Sequence, residues 1–299
     1  ALPGLVSAQT ITASITGNAS DPTGAIIPGG TVTATNTETN IRTTTTTNQE
    51  GIYTFPFLRV GSYTVTMEAK GFKKSVIGPF KVEANQIARI DIRLELGEAT
   101  QTVEVTDVGA LLQTETQATG DTLSSTKLTS IPLNGRNFIR LVQLAPGATE
   151  SVQSSLGGGT RPDDRRQTSA VSVNGTADTQ NNQLIDGLDN NERAIGTVGV
   201  KPSIDAIAEV KVQTNLYSAD VGRTQGGVIN ILTKSGSNQF HGTAYEFGRS
   251  DKFDSADFFA KQRPVLKQNQ FGGSLGGPIR SNKSFFFVDY EGFRNRQGV

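Results

Sequence analysis

Three runs between Phe240 and Gly292 constrain this chain more than anything else in it. Phe240–Arg249 sets Tyr245 and Phe247 against Ala244, Glu246 and Gly248. Phe271–Ile279 sets Phe271, Leu275 and Ile279 against Gly272, Ser274 and Gly276. Phe285–Gly292 sets Phe286, Val288 and Tyr290 against Phe287, Asp289 and Glu291. Each run has period two, so it reads as a strand with an apolar face and a small or polar face. Strands of about ten residues with that division are the pattern of a barrel that crosses a bilayer. The joints agree: Ser250–Gln268 is long and Arg280–Lys283 is tight. If what precedes is periplasmic, the first strand rises outward, the long loop lies outside and the tight turn inside. No run approaches the roughly 20 apolar residues of a spanning helix, so a bilayer would be crossed by strands.

The stretch from Ile204 to Lys234 reads as a packed unit of another kind. Two strand-like runs, Ala208–Val212 and Val228–Thr233, flank a segment holding Tyr217, Ala219 and Arg223. Gly226-Gly227 stands directly before the second run, where the backbone must turn tightly or pass close to another stretch of chain. Upstream, Asn137–Leu144 places Phe138, Leu141, Val142 and Leu144 at helical spacing. Asn134 or Asn137 can cap that helix and Pro146-Gly147 ends it. Val171–Gly175 and Gln183–Gly187 read as two more strands ending in turns, and Ser151–Arg166 as a polar loop.

From Gln9 to about Leu96 the chain consists of short strands cut by turns: Ile11–Ile15, Thr31–Thr35, Thr43–Thr47, Tyr53–Phe57, Ser62–Glu68 and Ile87–Leu96. Such regular short strands imply a β-sandwich, with Tyr53, Phe55, Tyr63 and Val65 in its core. Gly 33 and 35% hydrophobic residues also favour β-structure with many turns over a helical bundle.

Two resemblances follow from these residues. Gly17, Asp21, Gly24, Gly30, Val32, Gly51, Tyr53, Phe55, Leu58, Gly61, Tyr63, Val65, Gly71 and Phe72 make 9–96 resemble a carboxypeptidase regulatory-like domain, a prealbumin-like sandwich. That fold is shared with carbohydrate-binding modules, and the resemblance brings no catalytic residue. Pro132-Leu-Asn-Gly-Arg-Asn-Phe138, Glu209-Val-Lys-Val212, Tyr217-Ser218, Gly222 and Gly226–Lys234 resemble the plug domain of TonB-dependent outer-membrane receptors. Gln213-Thr214-Asn215 stands where the commoner pattern has an Arg-Gly-Pro-like step, as in the Oar-like branch rather than the usual ferric-siderophore receptors.

The resemblance implies candidate sites. Thr102, Val103, Glu104, Val105 and Thr106 are candidates for the family's TonB box, which adds edge-on to a periplasmic energy-coupling protein; the other reading is the first strand of the plug. Arg136, Asn137 and Arg223 are candidates for anchoring the plug in the barrel, against a local loop brace for Arg136 and Asn137. Arg161, Asp163, Asp164, Arg165 and Arg166 are candidates for a loop that meets substrate at the outer vestibule, against a solvated linker.

Other chemistry is poorly supplied. Lys+Arg 28 against Asp+Glu 28, with no local basic cluster, argues against a nucleic-acid face. With Cys 0 and His241 as the one histidine, the common zinc and nucleophile–base constellations cannot be assembled. Asp186-Gly-Leu-Asp189-Asn-Asn-Glu192 does not follow the EF-hand order and reads as a polar turn. Gly157-Gly-Gly, Gly226-Gly227 and Gly272–Gly277 lack the setting of a nucleotide loop.

The expected architecture is mainly β: a signal-peptide remnant over 1–8, a sandwich over 9–96, a linker over 97–110, a mixed α/β plug over 111–235 and the first barrel strands over 236–299. Val6 and Ala8 fit the small-residue positions of a cleaved secretory signal, though an ordinary loose terminus reads the same way. Since a barrel needs about eight strands, the sequence is expected to be a piece of a longer protein. The implied function is gated import across the outer membrane with no cofactor, the alternative being surface carbohydrate binding or adhesion. The implied partners are a TonB-type energy-coupling protein, outer-membrane lipid and an extracellular substrate (a glycan, peptide or metal chelate).

Overall fold

A computed structural model describes residues 12–98, 101–105, 118–133, 136–150, 171–192, 198–219, 221, 224–253, 255 and 265–297. The 1–8 segment, Thr106, Arg161, Asp163, Asp164, Arg165, Arg166 and Arg223 lie outside the described residues.

The first nine strands are β1 (Ala13–Ser20), β2 (Thr31–Asn36), β3 (Arg42–Thr46), β4 (Ile52–Leu58), β5 (Gly61–Glu68), β6 (Lys74–Val82), β7 (Ile87–Arg89), β8 (Ile92–Arg93) and β9 (Thr102–Val105). They form two sheets, β4-β1-β7 with β8 also on β1, and β3-β2-β5-β6-β9. Inward positions alternate, so Ile15, Val32, Tyr53, Phe55, Val65, Met67 and Leu94 fill the space between the sheets. The buried Tyr53 hydroxyl donates to the Ile90 carbonyl at 2.6 Å, and burial pushes its pKa up.

Two features of the sandwich depart from the sequence reading. The run expected over Ile87–Leu96 is split, because β7 pairs with Ser14–Thr16 and β8 with Ala19–Ser20, both parallel to β1. β6 is an added strand at Lys74–Val82. Its Gly78-Pro79 reads as a breaker, yet the sheet absorbs it as an irregularity between Tyr63↔Phe80 and Val65↔Ile77.

The second unit holds β10 (Thr119–Ser124), α1 (Ser125–Ser130), β11 (Ala148–Glu150), β12 (Val171–Val173), β13 (Asn182–Ile185), β14 (Leu188–Asp189), β15 (Ile207–Asn215) and β16 (Val228–Thr233). Its main sheet runs β10-β15-β16-β13-β14, with only β13 and β16 parallel. Val210, Val212, Ile229 and Ile231 pack beneath Leu123, Leu128, Phe138, Leu141 and Val142. The helix expected at 137–144 forms as a tighter 3₁₀ helix, Phe138–Leu144, and Leu144 is exposed rather than packed. Asn137 caps it, its Oδ1 accepting from the Ile139 amide at 3.2 Å. At Gly226 a Cβ would sit 2.8 Å from the Gln180 carbonyl oxygen, the close approach that the glycine pair implies.

The last three strands are β17 (His241–Ser250), β18 (Leu266–Arg280) and β19 (Ser284–Gln297). They form one antiparallel sheet, longer than the alternating runs suggest. The tight turn at its lower end meets the sandwich. Asn40 Nδ2 donates to Asn282 Oδ1 at 3.0 Å, and the Asn238 amide donates to the Glu38 carbonyl at 3.0 Å.

Candidate coupling strand and plug–barrel interface

The candidate coupling residues Thr102, Val103, Glu104 and Val105 form β9, parallel to β6 in the register Lys74↔Thr102 to Ile77↔Val105. They are an edge strand of the sandwich, so the alternative reading as the first strand of the plug does not hold. Backbone pairing accounts for this, since β9 needs only backbone partners and β6 offers an open edge. Thr102, Glu104 and Val105 are exposed, and within the described residues the far edge of β9 carries no further strand.

The sandwich in turn grips the plug through two charges in β15. Glu209 is 1% exposed, accepts from the Ala84 amide at 2.8 Å and pairs with Lys81 at 3.4 Å. Lys211, two residues on and therefore on the same face, donates its ammonium to the Ala84 carbonyl. One residue of the β6–β7 turn thus has both backbone polar groups taken up by the plug. Burial lowers the Lys211 pKa, with Glu83 and Glu209 acting against that shift.

Arg136 joins the plug to the barrel strands. Its guanidinium makes an ion pair with Asp205, which sits in the 3₁₀ turn Ile204–Ala206. The same guanidinium carbon lies 4.4 Å from the Tyr245 ring centroid and 4.7 Å from that of Phe247, both on β17. Planar and delocalised, an arginine can pair edge-on with a carboxylate while its face lies on aromatic rings. Two further contacts extend this seam: Ser203 Oγ donates to Asp289 Oδ1 at 2.9 Å, and Tyr245 donates to Glu291 Oε2 at 2.7 Å.

This seam corrects one feature of the sequence reading. In β17 the aromatic pair Tyr245 and Phe247 belongs to the plug side, together with the register partners Gly272 and Glu291. Leu275, Phe271, Val288 and Tyr290 take the opposite face, as the alternation of β18 and β19 implies. An arginine on the plug turns the aromatic face inward.

Of the proposed anchors, Arg136 reaches the barrel strands, while Asn137 is a buried cap within the plug. The alternation could not single out Ser203, Asp205, Asp289 or Glu291, because their partners are distant in sequence. Glu209 and Lys211 did carry a signal: two charges spaced by two among the apolar residues of Ile207–Val212. The Asp186 carboxylate accepts from the Thr233 amide at 2.9 Å and hydroxyl at 2.7 Å, and Asp189 braces Asn191. Among the described residues no cluster of metal-ligating side chains is present. His241 sits at the lower rim of β17, its ring stacked with Phe287.

Residues 14–95 match the carboxypeptidase regulatory-like domain model, and residues 232–299 match the outer membrane beta barrel domain model. The chain is 30% identical over 274 residues to the TonB-dependent transporter Oar of Myxococcus xanthus, a match covering 87% of this chain and 24% of that protein. The chain thus spans about a quarter of the length of this curated relative. In solved structures it resembles the siderophore receptor PirA from Acinetobacter baumannii at 21% identity and a TM-score of 0.45, over 60% of this chain and 25% of that one. It also resembles the outer membrane transporter YddB from Escherichia coli at 14% identity and a TM-score of 0.34, over 60% and 30% respectively. Over 87% of its length the chain is thus a homologue of a TonB-dependent transporter, Oar, and it carries a carboxypeptidase regulatory-like domain and part of an outer membrane beta barrel domain.

Proposed function

We propose that this protein takes up a substrate across the outer membrane under the control of a periplasmic energy-coupling protein, with β9 as the strand that partner engages. The observation that carries this reading is the double tethering of the plug. Arg136 holds it to the barrel strands, and Glu209 with Lys211 hold it to the sandwich that bears β9. A short, exposed strand with one unpaired edge suits β-strand addition, in which backbone hydrogen bonds give affinity and alternate side chains give register. A pull on β9 then reaches the plug through β6 and the turn at Ala84. The energy comes from the partner, so the chain needs no nucleotide site, and the substrate is an extracellular glycan, peptide or metal chelate.

Surface adhesion without transport is the second reading, supported by the sandwich's likeness to carbohydrate-binding folds. Val105→Pro in the full-length receptor separates the two. Proline removes an amide donor from a strand whose worth is its backbone. Transport predicts loss of co-purification with the energy-coupling protein and loss of energy-dependent uptake, with the receptor still assembled. Surface binding that the substitution leaves unchanged, with no co-purification of the energy-coupling protein even in the wild type, would favour adhesion.

A further inference from the structure

The face of the barrel sheet turned away from the plug changes character along its length. Pairing register puts Gly242, Leu275 and Val288 in one row across it, then Ala244, Gly273 and Tyr290, then Glu246, Phe271 and Gly292. Above these come Gly248, Asn269 and Arg294, and then Ser250, Lys267 and Arg296. The step from Phe286 to Arg296 rises about 25 Å along the bilayer normal at a strand tilt of about 40°. That is about the height of an outer-membrane apolar band, so the two upper rows stand at its outer boundary. Cations on the lipid face cost about 2–4 kcal/mol at the midplane and little at the boundary, which fits this placement.

Three cations, Lys267, Arg294 and Arg296, thus share the outer end of a lipid-turned face on which Glu246 is the one carboxylate in these rows. Glu246 accepts from Asn269 at 3.1 Å. Together with Arg249, whose position in β17 belongs to the other face, they line an open cleft of about 540 Å³. Gly248, with no side chain, and Phe253, 92% exposed, line it as well. Arg294 also lies over the Phe271 ring at 5.7 Å, at the top of the apolar rows. A cleft with clustered cations above and apolar rings beside it matches a molecule with phosphates on a headgroup and hydrocarbon below. A free anion would use the cations and leave Phe253 and Phe271 without a role.

We propose that this cleft binds the phosphate-bearing headgroup of an outer-leaflet glycolipid, with Arg294, Arg296 and Lys267 as the phosphate ligands. Arginine forks suit phosphate oxygens in pairs, and Lys267 supplies a point charge beside them. The site rests on the outer-membrane location and not on transport.

The test uses the full-length receptor, delipidated in detergent and examined by native mass spectrometry. The probes are diphosphoryl lipid A, the same lipid after phosphatase treatment, and inorganic phosphate. The wild type is expected to retain the diphosphoryl lipid at least tenfold better than the dephosphorylated one. Combined Lys267→Gln, Arg294→Gln and Arg296→Gln should remove that preference, whereas Arg280→Gln, at the opposite end of β18, should keep it. Equal retention of the two lipids by the wild type overturns the proposal, and this comparison needs no variant. Retention of the preference in the triple variant overturns the residue assignment. Inorganic phosphate that displaces the lipid at equal concentration would make this a free-anion site and also overturn it.

Discussion

The Arg136 guanidinium on the plug lies 4.4 Å from the ring centroid of Tyr245 on the first barrel strand, while it pairs with Asp205 of its own domain. One side chain therefore serves as an internal brace and as the joint to the barrel. Its two roles are separable by substitution.

Arg136→Ala should strip the Asp205 carboxylate of its partner and the two rings of their cation, weakening the joint by about 3 kcal/mol. Arg136→Lys keeps the charge but not the planar face, so an intermediate effect is expected. Hydrogen exchange of 204–206 and of β17 in the full-length receptor reads both. Equal protection in wild type and Arg136→Ala would show that the joint lies elsewhere.

At the other tether, Glu209→Ala should expose the Ala84 amide. Hydrogen bonds to charged groups contribute about 1.5–3 kcal/mol, so exchange at Ala84 should quicken at least about tenfold. Glu209→Gln, which keeps an acceptor at the same place, should lose less. Exchange at Ala84 that ignores both substitutions would mean the sandwich is held by other contacts.

Lys211 predicts a pH dependence of the same tether. Its folded-state pKa lies below the usual 10.5 because burial disfavours the ammonium. In the window between the folded value and 10.5, the unfolded state binds more protons, so stability rises with pH. Below that window both states are protonated and the full cost of burial is present. Lys211→Met should flatten the alkaline rise, as read from unfolding midpoints across pH. A fall in stability through that window would contradict the assignment.

In the sandwich, a Cβ on Gly17 would sit 1.8 Å from the Ile90 carbonyl oxygen, the acceptor of the Tyr53 hydroxyl. Gly17→Ala should force β1 away from Ile90 and cost about 2–3 kcal/mol. Tyr53→Phe leaves the backbone in place but orphans that carbonyl, for about 1–2 kcal/mol. Thermal melts of the two variants should preserve that order.

Much of this fold could be read from alternation. Val228–Thr233 coincides with β16, and the barrel strands were visible because one face of each is apolar and the other small or polar. β6 was hidden by Gly78-Pro79, a pair that local rules treat as a stop and that a neighbouring strand can accommodate. β9 was visible as a strand, but its partner was not, since parallel pairing on a sandwich edge leaves no mark in the side chains. The plug–barrel seam was half visible. Arg136 is a candidate through the resemblance of Pro132–Phe138, whereas Ser203, Asp205, Asp289 and Glu291 gain meaning only when distant segments meet.

In the proposed function, β9 is the strand that an energy-coupling partner engages. The most direct measurement places single cysteines at Thr102, Val103, Glu104 and Val105 of the full-length receptor and scores disulfide capture of the cysteine-bearing coupling protein in intact cells. Strand addition predicts capture that alternates along these positions and increases when substrate is present. No capture at any of the four, with uptake undiminished, would rule out β9 as the coupling strand.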